Sequence, residues 1–418
     1  MKAYDVAIIG AGASGTLTAV QFARRGGEGG RGALIEAGAR AARGLAYGTP
    51  YGAHLLNVPA ARMSGLPDDP EHFLRWLRER DPDAQPGTFA PRALYGDYLA
   101  SLLDSLPIAR VIARVGGTAV GLTHGPKGWL VHLHDDRTIA ARNVVLALGN
   151  LPPADPLQVP ASIAEYVRDP WAAGAAIGLA PDAPVLLIGS GLTAVDVAIA
   201  LRHEGHRGPI YALSRHGRLP EPHAPYTPIA LDVPRFASPR AALRWVRAHA
   251  TDWRAAIDAL RPHTAAIWTG WSLTQRASFL RHLKTLWDVH RHRAAPSVLN
   301  ELDVTVLRGR ITELRPGVDV VWSNGTLRVA RVINCTGPAC DYARLDLPLV
   351  VQLRRAGWLV PDPLRLGVET APDGRLIGTG GRPVDGLFTL GPLRRPALFE
   401  STAIPEIRDQ AAALAKIL

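Results

Sequence analysis

The apolar positions of this chain fall into short blocks separated by glycine and proline. Residues Tyr4–Ile9 form a β-branched and apolar run, the pattern of a buried parallel strand. Gly10, Gly12 and Gly15 follow in GxGxxG spacing, and helical periodicity continues through Leu17, Val20, Gln21 and Phe22. A second strand, Ala33 to Glu36, ends on an acid. The unit then recurs. Ala183 to Ile188 reads as a strand, Gly189, Gly191 and Ala194 give GxGxxA, and Val195 to Leu201 continues as a helix that Gly205 and Gly208 end. Pro209 to Leu213 is the next strand. Asn143 to Gly149 and Arg331 to Gly337 are each a strand running into glycine, with prolines beyond. Between Ala237 and Ala295, apolar residues recur at helical spacing through Leu243, Trp245, Val246, Ile257, Leu260, Phe279, Leu283, Leu286 and Trp287. Gly386 to Gly391 is a last strand, and a helix opens after Glu400.

Each part of the first unit has a physical role in holding a dinucleotide. Gly10 allows a tight turn, Gly12 lets the backbone approach a pyrophosphate, and Gly15 permits close helix–strand packing. The helix amino terminus at Ala13 and Ser14 offers free N–H groups and a positive dipole end. Glu36 is suited to ribose hydroxyls and disfavours a 2′-phosphate, which points to FAD or NAD. In the second unit the corresponding helix start is Leu192 and Thr193, and the strand ends in Ser214, Arg215 and His216 with no acid. Serine and arginine suit a 2′-phosphate, so this site is expected to take NADPH, with NADH possible; the alternative is that Arg215 caps a surface loop. Two such sites imply a bound FAD and a visiting nicotinamide that passes hydride to it.

The expected architecture is α/β: two Rossmann-like dinucleotide-binding domains of the three-layer ββα type with a mostly helical insert. Residues 1–150 and 320–418 form the FAD domain in this reading. Residues 151–319 form the inserted NAD(P) domain, including the helical insert 237–295.

At 418 residues, 47% hydrophobic and 20% charged, the chain can bury a large core without disulfides or metals. Two cysteines exclude a disulfide-stapled fold and a four-cysteine zinc site. No run of about 18 uncharged apolar residues is present, so no membrane partner is expected. The net charge is +10, and only four of the 47 basic residues are lysine. The arginines are scattered rather than clustered, which reads as compositional bias or as service to anionic cofactors, not as a nucleic-acid surface. Lys2 precedes an apolar stretch, but Asp5 interrupts it, so a cytoplasmic protein is expected rather than a signal peptide.

Candidate chemistry lies in three further places. His54 and Asn57 follow the first unit, as a proton donor and as a hydrogen-bond partner of a flavin or nicotinamide amide, unless both merely cap a loop. Ser401 or Thr402 fits as the cap of the last helix, whose amino terminus would face the flavin. Arg43, Met63, Gly149 and Gly391 complete the candidate cofactor-binding residues. His290 and His292 form a His-x-His pair amid arginines, read as a basic helix end near cofactor phosphates or substrate with no metal. Cys335 and Cys340 have the CxxxxC spacing of disulfide reductases but stand at the late domain crossover.

The segments VAIIGAGASGTLTA from Val6, GLAYGTPYGAHLLNVPAARM from Gly44, FAPRALYGDYL from Phe89, VLLIGSGLTAVDVA from Val185, WDVHRHR from Trp287 and NCTGP from Asn334 resemble a bacterial family of FAD/NAD(P)-binding proteins. More distantly, the chain is similar to flavin-dependent monooxygenases that hydroxylate ornithine or lysine at nitrogen. The resemblance implies FAD at Gly10, Gly12, Gly15 and Glu36, and NADPH at Gly189, Gly191 and Arg215. It departs from the monooxygenases at two places: Tyr166 to Trp171 replaces an aromatic–glycine–histidine motif, and Ala147-Leu-Gly-Asn150 replaces Ala-Thr-Gly-Tyr. The expected activity is hydroxylation of a small-molecule nitrogen or sulfur through a flavin C4a-hydroperoxide. A reductase or dehydrogenase without oxygen insertion, or a non-catalytic FAD-bound redox sensor, stands as the alternative.

Overall fold

The computed structural model describes residues 3–26, 29–38, 40–249 and 251–418; Lys2 lies outside them. In chain order the strands are β1 (Tyr4–Ile9), β2 (Gly32–Glu36), β3 (Ile112–Gly116), β4 (Ala119–Gly125), β5 (Gly128–Leu133), β6 (Thr138–Leu146), β7 (Tyr166–Val167) and β8 (Val185–Ile188). They continue as β9 (Ile210–Ser214), β10 (Thr305–Arg308), β11 (Ile311–Arg315), β12 (Asp319–Trp322), β13 (Gly325–Arg328), β14 (Arg331–Asn334), β15 (Arg375–Ile377) and β16 (Pro383–Thr389).

The first sheet runs β15-β16-β6-β1-β2-β3, and β16, β6, β1, β2 and β3 are parallel neighbours. Val6, Ala7, Ile8 and Ile9 are all buried, which explains the unbroken apolar run: helices cover one face and further strands the other. On the helical face, the Ala13–Gly26, Arg92–Asp104 and Ile404–Leu414 helices bring Leu17, Tyr95, Leu99 and Ile407 into one core. On the opposite face, Trp129 and Val131 of β5 pack with Leu349 and Leu353 of the Pro348–Arg355 helix. These are the three layers that the sequence predicts.

The second sheet repeats the order as β10-β9-β8-β14-β7, all parallel. In each sheet the order reverses at the strand before the glycine loop, because β1 is flanked by β2 and β6 as β8 is by β9 and β14. Open parallel sheets bind ligands at that reversal. A β11–β12–β13 meander covers the second sheet: its Val318, Val320 and nearby Val329 pack with Leu186, Ile188 and Leu213. The expected return to the first unit at residue 320 therefore falls after Asn334. The reason is hydrogen bonding, since β14 satisfies the free edge of β8 from Arg331↔Val185 to Asn334↔Ile188.

The insert is helical over Pro239–His249, Trp253–Leu260, Thr264–Thr269, Leu273–His282 and Lys284–Arg291. Ser272 and Gln275 close a capping box on the fourth of these. Trp268, Trp271 and Phe279 anchor the insert against Leu366 and Phe399 of the first unit. Among the described residues, no helix is long and apolar enough to cross a membrane.

Candidate functional site: two dinucleotide cradles

At the first reversal, Gly10 has φ +103°, and a Cβ there would stand 2.4 Å from the Ala147 carbonyl oxygen. A Cβ on Gly15 would stand 1.7 Å from the Gly10 oxygen, so the helix lies directly on the turn. Gly12 lies along the turn at Gly44, which is tied in by Ala42 N–H donating to the Ala11 oxygen at 2.7 Å. Glu36 holds this loop: one carboxylate oxygen accepts from Ala11 N at 2.9 Å and the other from Gly38 N at 2.8 Å. Ser14 and Gly391 meet across the loop, since a Cβ on Gly391 would lie 2.7 Å from Ser14 Oγ. The Gly391 N–H donates to Gln410 Oε1 at 3.0 Å. A Cβ on Gly149 would meet nothing within 4 Å beyond its chain neighbours. Arg43 pairs with Asp97 and donates to the Ala93 oxygen at 3.3 Å. Met63 is buried, with its carbonyl accepting from Tyr95 Oη at 2.9 Å.

The last helix begins later than the sequence suggests. Its cap is Ala403, which makes no side-chain bond, because Pro405 sets the first turn of Ile404–Leu414. Neither Ser401 nor Thr402 caps it. Ser401 is instead fully buried with Oγ lacking any partner among the described residues, while Thr402 is exposed. A buried hydroxyl left unpaired costs stability unless something else satisfies it.

The second cradle has the same construction. Gly189 has φ +115°, and a Cβ would meet the Cys335 oxygen at 2.6 Å. Gly191, the cap of the Leu192–His203 helix, has open space on the Cβ side. Leu192 and Thr193 form the half-exposed start of that helix. Ser190 Oγ donates to the Arg218 oxygen at 2.6 Å and lies 2.8 Å from Ser214 Oγ, so the glycine loop is stitched to the end of β9. Arg215 stands exposed beyond β9 and makes no ion pair or hydrogen bond among the described residues.

His54 lies between the two units. Its Nε2 sits 2.8 Å from the Asp196 carbonyl oxygen, and its Nδ1 2.7 Å from Thr49 Oγ1. A carbonyl only accepts, so Nε2 carries the proton and Nδ1 accepts from the threonine. Burial holds the imidazolium form down. With both nitrogens engaged, His54 is a buried strut rather than the free proton donor expected from the sequence. Asn57 offers its carbonyl to His223 Nε2 at 3.0 Å, while its side-chain amide has no partner among the described residues. Beside His54, Arg92 Nη1 donates to buried Asp196 Oδ2 at 2.6 Å, and Arg92 Nε to the Leu55 oxygen at 2.8 Å. Sequence reading missed Arg92 and Asp196, although one acid inside the otherwise apolar stretch from Ala194 to Leu201 was a usable signal.

Burial also lowers the His223 pKa. For both histidines the unfolded chain, titrating near about 6.5, takes up the proton first. Their stability contribution is complete above that pH and is lost as pH falls through the lowered folded values. We expect the melting temperature to drop as pH is lowered below about 6.5, with a shallower drop in a His54→Gln, His223→Gln double variant. Equal slopes in the two proteins would refute this.

The Trp287–Arg293 stretch does not present free cations to phosphates. Arg291 faces Glu406 at 3.3 Å and Glu400 at 3.9 Å, His292 faces Glu400 at 3.6 Å, and Arg293 pairs with Asp258. Buried cations need such partners, which the sequence placed far away. Cys335 is buried, which pushes its thiol pKa up, and both cysteines are free.

Residues 7–151 match a family model described as FAD-NAD(P)-binding. The match spans the first glycine loop, Glu36 and the strand that ends before Gly149. No curated protein matches the chain. Among solved structures, ornithine hydroxylase from Pseudomonas aeruginosa is similar at TM-score 0.64 and 13% identity, covering 100% of this chain and 98% of its own. Flavin-containing monooxygenase from Stenotrophomonas maltophilia has TM-score 0.59 and 18% identity, with 100% and 98% covered. Thioredoxin reductase from Lactococcus lactis has TM-score 0.56 and 14% identity, with 99% and 97% covered. At these identities the likeness is one of fold, and it spans oxygenating and disulfide-reducing enzymes alike.

Proposed function

We propose that this chain is an FAD-dependent oxidoreductase driven by NADPH, acting as a monooxygenase on the nitrogen or sulfur of a small molecule. The observation that carries the reading is the pair of glycine cradles at the reversal points of two parallel sheets with matching strand order. The residues present fit FAD in the first: a backbone cradle at Gly10–Gly15, an acid at the end of β2, open space on the Cβ side of Gly149, and the orphaned Ser401 hydroxyl. Bound FAD supplies two-electron transfer from a nicotinamide and reaction with oxygen.

The chain's own groups divide the remaining work. The N–H groups at Ala13 and Ser14 attract the pyrophosphate through the helix dipole. Glu36 exchanges a loop hydrogen bond for ribose hydroxyls. Arg43, paired with Asp97, precedes Gly44, which borders Gly12, and Met63 supports the core beneath through the Tyr95 hydroxyl. Leu192 and Thr193 receive the second pyrophosphate, and Ser214 and Arg215 the 2′-phosphate. The unpaired Asn57 amide orients a ring amide at the junction of the two units, where the His54 strut fixes its loop. A disulfide-reducing role finds no support in a buried, protonated Cys335.

The test is the absorbance spectrum of the purified chain, then anaerobic reduction by NADPH, then admission of oxygen with candidate amines and sulfides. The expected result is a yellow protein bleached by NADPH, with hydroxylated product accounting for part of the oxygen consumed. Full recovery of that oxygen as hydrogen peroxide for every substrate would instead favour a reductase.

A further inference from the structure

The helical insert forms a half-open cavity of about 300 Å³. Its wall is dominated by Trp253, Trp268, Trp271, Trp287, Phe279 and Phe399. Most polar atoms of that wall are already committed. Indole N–H groups donate to the Pro396 oxygen from Trp268 at 2.7 Å, to the Phe236 oxygen from Trp271 at 3.1 Å, and to Glu400 from Trp287 at 2.7 Å. His290 Nδ1 donates to the Leu286 oxygen at 2.6 Å, and the Thr264 hydroxyl bonds the Arg261 oxygen at 3.0 Å. The groups left over are the Trp253 indole N–H, His290 Nε2 and the exposed Arg247, none of them an anion. No carboxylate lines the space. The ammonium group of an amino acid placed there would lose its hydration with no anion to replace it.

One wall of the cavity comes from the segment that leads into the last helix. Phe399 lines it with φ +60°, a conformation costly for a bulky residue, and is held there by stacking on Trp268 at 4.7 Å between ring centres. Two residues on is Ser401, with its unpaired buried hydroxyl. A strained aromatic wall thus continues directly into the segment that opens the last helix. The volume is at the small end of ligand pockets, which fits a small molecule and not a protein segment.

We propose that the substrate is an uncharged, largely apolar small molecule bearing the reactive nitrogen or sulfur, with its apolar body seated in this cavity. This rests on the oxidoreductase reading above and narrows it to a substrate class.

The probe is N-phenyl-1-naphthylamine, an uncharged aromatic amine whose emission rises in apolar surroundings, titrated into the purified holoprotein. Saturable one-to-one binding is expected, unaffected by excess L-ornithine. Leu243→Trp and Leu286→Trp, which fill the cavity without adding charge, should each weaken it by about tenfold or more. Their melting temperatures and their rates of flavin reduction by NADPH should stay near those of the parent. Non-saturable binding, equal binding in both variants, or displacement by L-ornithine overturns the proposal. Flavin reduction is read separately: its absence beside intact, cavity-dependent binding supports the site and overturns the oxidoreductase reading.

Discussion

Gly15→Ala is expected to yield a protein that has lost its flavin. The added methyl would sit 1.7 Å from the Gly10 carbonyl oxygen, a covalent-scale distance, with Ile8 Cγ2 a further 3.3 Å contact. Both obstacles are parts of the buried β1 and its turn, so no flexible side chain can move aside. The Ala13–Gly26 helix must lift, breaking the core around Leu17 and Val20 and spoiling the N–H cradle together. Overpacking of this kind costs about 1–3 kcal/mol or more. The check is flavin absorbance per chain beside a thermal melt. Gly191→Ala is the companion: nothing lies within 4 Å of its Cβ and its φ is −85°, so the fold and the flavin should survive. Its expected defect is confined to nicotinamide nucleotide binding, where the methyl occupies the approach to the phosphates. Parental flavin content in Gly15→Ala would refute the packing role.

Arg215→Ala should raise the KM for NADPH while leaving that for NADH nearly unchanged. The guanidinium is exposed, has no partner among the described residues, and follows a serine already fixed by Ser190 and Gly217. It is therefore available to a 2′-phosphate without first breaking an ion pair. Charge-assisted bonds of this type contribute about 1–3 kcal/mol. That converts to an increase of about 5- to 140-fold in KM. Steady-state kinetics with both nucleotides provides the check, and equal effects on the two would show that Arg215 does not read the phosphate.

Much of this was legible because parallel strands and glycine turns leave local signatures. β1 and β8 are apolar runs ended by Gly10 and Gly189, whose conformation and close approach demand glycine, β2 and β9 are the apolar runs that follow each helix, and the structure places all four within one or two residues of expectation. The meander β11–β13 and the return at β14 were not legible. Alternating half-buried strands such as Ile311–Arg315 carry no mark of which sheet they will cover, so the boundary was set at 320 rather than after Asn334. The site divides the same way. Backbone cradles follow from spacing, but the fate of His54 depended on Asp196, 142 residues away, and that of Arg291 on Glu400 and Glu406. Such pairings exist only once the chain is folded. The cap of the last helix was misplaced for a local reason, since Pro405 outweighs the polar residues before it.

The Arg92–Asp196 contact joins the start of the Arg92–Asp104 helix in the first unit to the Leu192–His203 helix of the second, with His54 alongside and both acid and base largely out of water. Separating such a pair leaves a bare charge in a dry place, at a cost of about 3–5 kcal/mol. Swivelling one unit on the other would first have to break this contact. A turnover of the kind proposed above would then run with nucleotides entering and leaving a fixed frame, much as a lathe keeps its two centres aligned while the workpiece changes.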